Sequence, residues 1–164
     1  MVAWSSCSYF TKDGDRNPDL VLLEKGQTLV PMAQSSLYNA FAYVLSSSKP
    51  IFAQRAVLFI DTWFLNPATV MNPNLRFGQV VRGPPGTQEG SFMGVLDARS
   101  FVQVINAVMV LKLTKAPDWT IAREQTMLKW VLDYTHWMIH SDQGRKSGMS
   151  PKYAASCPSS SWYC

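Results

Sequence analysis

Trp63-Phe64-Leu65-Asn66-Pro67-Ala68-Thr69-Val70-Met71-Asn72-Pro73-Asn74-Leu75-Arg76-Phe77-Gly78-Gln79 is the stretch on which the reading of this chain turns. It opens as the end of an apolar helix and closes as a polar loop. Pro67 and Pro73 lack a backbone donor, and each pushes the asparagine before it towards extended geometry, so the helix cannot continue. The chain there makes a rigid turn with amide side chains held between aromatic residues. Amides both donate to and accept from hydroxyls and carboxylates, and ring faces cover sugar C–H groups, so the composition suits a sugar-binding surface. The competing reading is an ordinary helix-capping turn whose asparagines satisfy nearby backbone groups.

Working outward, the residues before the loop predict a helix over 51–65. Ala53, Ala56, Val57, Ile60 and Phe64 recur at helical spacing and form one apolar stripe. Upstream, a helix starting near Thr28 carries Leu37, Phe41, Val44 and Leu45 on one face and stops at Ser46-Ser47-Ser48-Lys49-Pro50. Pro31 falls in its first turn, where a missing donor costs little. The connection is short, so the two helices should lie antiparallel. Downstream, residues 67–94 exceed the roughly 12–15 residues usual for a structureless connection; such loops are functional or disordered, and the aromatic content and paired prolines favour an ordered one. A third helix spans about 96–114, with Phe101, Val104, Ile105, Val108 and Leu111 as its core stripe, Val102, Met109 and Val110 widening it so that more than one side should be covered, and Lys112 and Lys115 at its C-terminal end. Ala116-Pro117-Asp118 breaks the chain, and Asp118 or Thr120 can cap a fourth helix ending near Ser141. Met127, Trp130, Val131, Tyr134, Trp137 and Met138 form its stripe, read as packing residues. No paired strand signals occur. The fold class is therefore all-α: helical hairpins joined by a long loop, in which each hairpin needs a neighbour to bury its second face.

Composition bounds the function. With 164 residues the chain is one domain or a piece of one. Apolar residues make up 47% and charged residues 16%, values that favour a packed core over disorder. The net charge of +4 carries no dense basic run, which argues against nucleic acid but suits an acidic polymer. Cys7, Cys157 and Cys164 allow at most one disulfide. His136 and His140 sit at i,i+4 without the glutamate of a zinc helix, so no metal site and no cofactor is expected. Residues 1–7 lack a basic segment and a long apolar core, so no export signal is visible, and no apolar run is read as reaching transmembrane length.

The central stretch resembles the WFLdPaTrMNPNL-x-x-x-Q segment of the alginate lyase family and its fungal-type relatives. Other segments agree in order. Tyr9 to Asp19 is similar to the family's Y-x-x-[RK]-DG-x-x-NPD segment. Gly94-Val95-Leu96-Asp97 resembles its next helix start, and Trp119-Thr120, Trp130, Tyr134 and Trp137 resemble the helix after that. The resemblance divides the chain into residues 1–8, where the family's aromatic, proline-rich start is replaced, a partial lyase-like domain over 9–152, and a non-family tail over 153–164.

The resemblance implies part of an incomplete (α/α) toroid with a cleft for an anionic polysaccharide, cleaved by β-elimination, in a family commonly secreted or periplasmic. That chemistry needs a group to neutralise the uronate carboxylate, a base for the C5 proton and an acid for the leaving oxygen. In the family an Asn-Asn-His motif and a later Arg and Tyr supply these groups. Here Tyr153-Ala154-Ala155-Ser156 stands in the place of Asn-Asn-His, and the later pair has no equivalent. No catalytic residue is therefore carried over. Asn72, Asn74 and Gln79 match the family motif and are the candidates for the cleft wall. Three readings compete: a lyase by descent, a non-catalytic fragment that at most binds an acidic glycan, and an unrelated helical interaction protein. Hairpins without their toroid neighbours should also expose apolar helix faces.

Overall fold

A computed structural model describes residues 24–78, 90 and 92–147, with side chains from 28 onward. Within them the chain is helical: α1 (Glu24–Leu45), α2 (Pro50–Ile60) with a π-helical extension (Asp61–Leu65), α3 (Gly94–Asp97) continued by a 3-10 turn (Ala98–Ser100), α4 (Phe101–Leu113), α5 (Ile121–His140) and α6 (Asp142–Lys146). Apart from a single bridge at Gly90, no strand occurs among the described residues. The chain divides into two compact units. Among the described residues, one comprises 24–72 and Ala98–Val131; the other comprises 73–78, 90, 92–97 and 132–147.

In the first unit, α1 packs against both α2 and α4. The face it uses is not the one its large residues suggest. Leu29, Met32, Ala33, Ser36, Ala40 and Tyr43 are buried, whereas Phe41 is 47% and Leu45 85% exposed. Val44 is exposed as well, and Leu37 is half-buried. The expected stripe of Leu37, Phe41, Val44 and Leu45 is therefore corrected. Ala33, Ser36 and Ala40 leave shallow grooves that let neighbouring helices approach closely, and close approach wins over side-chain size. The buried Ser36 hydroxyl costs little because it donates to the Met32 carbonyl at 3.0 Å. The helix also begins at Glu24, so Pro31 lies inside it. An interior proline removes one i→i−4 hydrogen bond and crowds the carbonyl four residues before it, so Pro31 weakens the first turns of the helix, which nonetheless run on through it.

α2 shows its expected pattern. Pro50 occupies the first turn, Lys49 before it is extended, and Ala53, Ala56, Val57 and Ile60 are buried, with Phe64 continuing the row. Phe101, Val104, Ala107 and Leu111 are the buried positions of α4; Ile105, Val108 and Val110 are only half-buried, and Val102 and Met109 are exposed, so the expected wider stripe is corrected to a single covered face. The bulky Met127 and Trp130 are the buried residues of α5. Phe64, Phe101 and Trp130 meet edge to face at centroid distances of 5.6, 4.7 and 5.5 Å, with interplanar angles near 80°. Each such pair adds about 1 kcal/mol beyond its area burial. Thr120 caps α5, its hydroxyl accepting from the Arg123 amide at 3.3 Å.

In the second unit, Gly78 and Gly94 cross so closely that a Cβ on Gly94 would lie 2.5 Å from the Gly78 carbonyl carbon and oxygen. The Gly90 amide donates to the Arg76 carbonyl at 2.7 Å beside this crossing. Only residues without a side chain fit there. Ser141 caps α6, its hydroxyl accepting from the Gly144 amide at 3.0 Å.

The stretch Gly94–Leu113 is long and apolar enough, by length and composition alone, to cross a bilayer, which corrects the reading that no run qualifies. Val95, Ala98, Phe101, Val104, Ala107 and Leu111 along it are buried within the protein, and the core helix of a soluble protein meets the same criterion.

Candidate glycan-binding loop

The loop begins where α2 widens. Between Asp61 and Leu65 the backbone shifts to π-helical bonding, so that the Asn66 amide donates five residues back to the Asp61 carbonyl at 2.8 Å. Carbonyls at the widened end are then taken by the loop itself. The Thr62 carbonyl accepts from the Thr69 hydroxyl at 2.6 Å, and the Trp63 carbonyl accepts from the Met71 amide at 2.8 Å. These groups would otherwise be left unpaired at a helix C-terminus. The Thr69 and Val70 amides donate to the Asn66 carbonyl at 3.0 and 2.8 Å, closing the Asn66-Pro67-Ala68-Thr69 turn.

Two side chains from α5 hold this end of the helix and the loop. Arg123 donates from Nε and Nη2 to the Asp61 carboxylate at 2.8–3.1 Å and from Nη1 to the Asp118 carbonyl at 3.1 Å. The Asp61 hydrogen bonds, supported by the charges of Asp61 and Asp118 and opposed by partial burial, raise the Arg123 pKa above its ordinary value, so the guanidinium stays charged at any working pH. Trp130, buried in the aromatic cluster, donates its indole N–H to the Met71 carbonyl at 2.7 Å. Neither contact was legible in the sequence. Asp61 and Arg123 lie 62 positions apart, and Trp130 sits on a helical stripe that reads as packing alone.

The asparagines divide. Asn66 Oδ1 accepts from the Ala68 amide at 3.0 Å, and Asn74 Oδ1 from the Arg76 amide at 3.3 Å. Both close local turns, as the capping reading expects. Asn72 is exposed and has no side-chain partner among the described residues. It belongs to the first unit, whereas Asn74 lies in the second and is half-buried. Beside Asn74, the Arg76 guanidinium lies 5.6 Å from the exposed Phe77 ring, a cation and an apolar face that the sequence pattern does not single out. Gln79, the third candidate, lies outside the described residues, as do the three cysteines, the Tyr9 to Asp19 segment and Tyr153 to Ser156.

Among the described residues no cluster of three or more His, Cys, Asp or Glu side chains could hold a metal ion. The two histidines stack on each other at the end of α5, centroids 4.1 Å apart, with His140 Nδ1 2.7 Å from the His136 carbonyl. Stacked rings direct their lone pairs side by side rather than to one point.

The described residues thus form an all-α fold of helical hairpins in which a widened helix end secures a short amide-bearing loop. The family model for alginate lyase matches residues 4–151. The chain belongs to the alginate lyase family. It is also similar to the crystal structure of an alginate lyase from Bacteroides ovatus, with 30% sequence identity and a TM-score of 0.75 over 85% of this chain. The match takes in 36% of the solved lyase, so this chain spans little more than a third of that protein. No curated protein matches it.

Proposed function

We propose that this chain is the glycan-facing scaffold of an alginate-type polysaccharide lyase, which binds an acidic uronic-acid polymer through its Asn72 loop without cleaving it by itself. The observation that carries this reading is Asn72: an exposed amide with no partner among the described residues, on a loop tied down at Asp61, Thr62, Trp63 and Met71. An amide held in place can donate to a uronate carboxylate or hydroxyl without first giving up a protein partner. The net charge of +4 favours an anionic polymer.

Cleavage by β-elimination removes the C5 proton of a uronate and expels the glycosidic oxygen, leaving an unsaturated sugar. It needs the carboxylate neutralised and the two proton transfers served together. Tyr153-Ala154-Ala155-Ser156 occupies the place where the resemblance puts Asn-Asn-His, and these side chains supply no imidazole. His136 and His140 are exposed at the end of α5 and match no family histidine. Incubation of the purified chain with alginate, monitored by ultraviolet absorbance of the unsaturated uronate, should show no growth. A chain extended through an Asn-Asn-His segment should show growth in the same assay. Growth with the chain alone would mean that other residues perform the elimination and would overturn the non-catalytic part of the reading.

A further inference from the structure

The geometry assigns to Trp130 a positioning role in addition to core packing: its indole N–H is the latch that fixes the Asn72-bearing segment in its glycan-facing conformation. The inference rests on the proposed glycan binding and deepens it.

Met71, immediately before Asn72, is held at both of its backbone polar groups. Its N–H goes to the Trp63 carbonyl at 2.8 Å and its C=O receives the Trp130 indole at 2.7 Å. The first bond ties the segment to its own helix, and the second ties it to α5, 59 positions further along the chain. On the other side, Pro73 restricts the backbone of Asn72 itself. Asn72 therefore stands between a residue pinned at two points and a residue whose ring limits its φ/ψ. A polar side chain used for recognition gains most when ordering costs are met before the ligand arrives.

Burial explains why the latch is rigid. Trp130 is 6% exposed, and Phe64 and Phe101 meet its ring edge to face, which fixes the direction of the N–H. Phe64 lies in the π-helical extension that also carries Trp63, so the packed aromatic and the carbonyl that holds the Met71 amide share one turn. Apolar packing alone would be met by phenylalanine at position 130. The donor is what tryptophan adds, and it ends on the carbonyl adjacent to the exposed amide.

The test is residue-resolved amide exchange by NMR on the full chain, wild type and Trp130→Phe, with titration of a short uronate oligomer. Loss of one hydrogen bond should speed exchange of the Met71 amide by about fivefold, while amides in the middle of α1 and α2 keep their rates. Oligomer affinity should fall by a similar factor. A uniform rise in exchange across α1, α2 and the loop, or no change at Met71, would overturn the latch. A wild-type measurement covers the case in which the variant does not fold. The Trp130 indole proton should shift with the same saturation curve as the Asn72 amide, although the indole is buried. Movement at Asn72 with a stationary indole would also overturn it. Absence of any oligomer binding by the wild type would instead overturn the glycan reading, and the exchange data would still decide whether the latch exists.

Discussion

Asn66, Asn72 and Asn74 are the same residue type within nine positions, yet the backbone gives them different tasks. Asn66 and Asn74 accept from amides two residues ahead, at 3.0 and 3.3 Å, and so build the turns that the prolines begin. Asn72 is left facing outward. The sequence could say that this stretch must leave helical geometry, because proline chemistry is local. It could not say which amide would be spent on the backbone, because that depends on turn geometry settled partly by Trp130 from α5, which holds the Met71 carbonyl. A second residue-scale property concerns Tyr134, whose burial pushes its pKa up from 10.0 to about 12. The folded state then holds the phenol proton more tightly than the unfolded chain does. This contribution to stability is complete below pH 10 and is lost as pH rises from 10 towards 12. Chemical denaturation at stepped pH should show Tyr134→Phe losing less stability than the wild type over that window. Parallel losses in the two proteins would contradict the burial argument.

Helix α1 shows at the scale of elements what periodicity can and cannot settle. Periodicity locates a helix, but it weighs large apolar residues most heavily. In α2 those coincide with the packed face, and Ala53, Ala56, Val57, Ile60 and Phe64 were all legible. In α1 the packed face is built from Ala33, Ser36 and Ala40 with Leu29, Met32 and Tyr43 around them, and Phe41, Val44 and Leu45 face away. Close helix approach is a property of two partners, and one helix's sequence contains only half of it. The corrected face makes opposite forecasts for neighbouring positions. Ala40→Leu should cost about 1–3 kcal/mol in urea unfolding because the groove cannot take the added volume. Phe41→Ser should stay within about 0.5 kcal/mol of wild type, as surface changes do. The reverse order would restore the face that α1's large residues suggest. The π-helical extension was likewise invisible from the sequence. Asp61–Leu65 reads as a simple continuation of α2, and its widening is recorded only in hydrogen bonds to Asn66, Thr69 and Met71.

For the whole molecule, the chain belongs to the alginate lyase family, matches 36% of a solved lyase, and carries many exposed apolar side chains among its described residues. Tyr38, Phe41 and Leu45 on α1, Val102, Met109 and Leu113 on α4, and Ile121, Leu128 and Leu132 on α5 are all exposed. Helices α1, α4 and α5 each bury one apolar face and leave further apolar side chains exposed. The all-α class and the family were legible because the central motif is long and unusual in composition. The reading that sets Tyr153-Ala154-Ala155-Ser156 in the place of Asn-Asn-His rests on the resemblance alone, because those residues lie outside the described part of the chain. The claim that joins these scales is that a lyase-family scaffold presents Asn72 to an acidic glycan. Isothermal titration of a uronate oligomer into the wild-type chain and into Asn72→Ala tests it most directly. The account predicts saturable binding by the wild type, weakened about tenfold or more in the variant, as expected when a hydrogen bond to a charged group is lost. Equal binding by the two proteins, or none by the wild type, would contradict it.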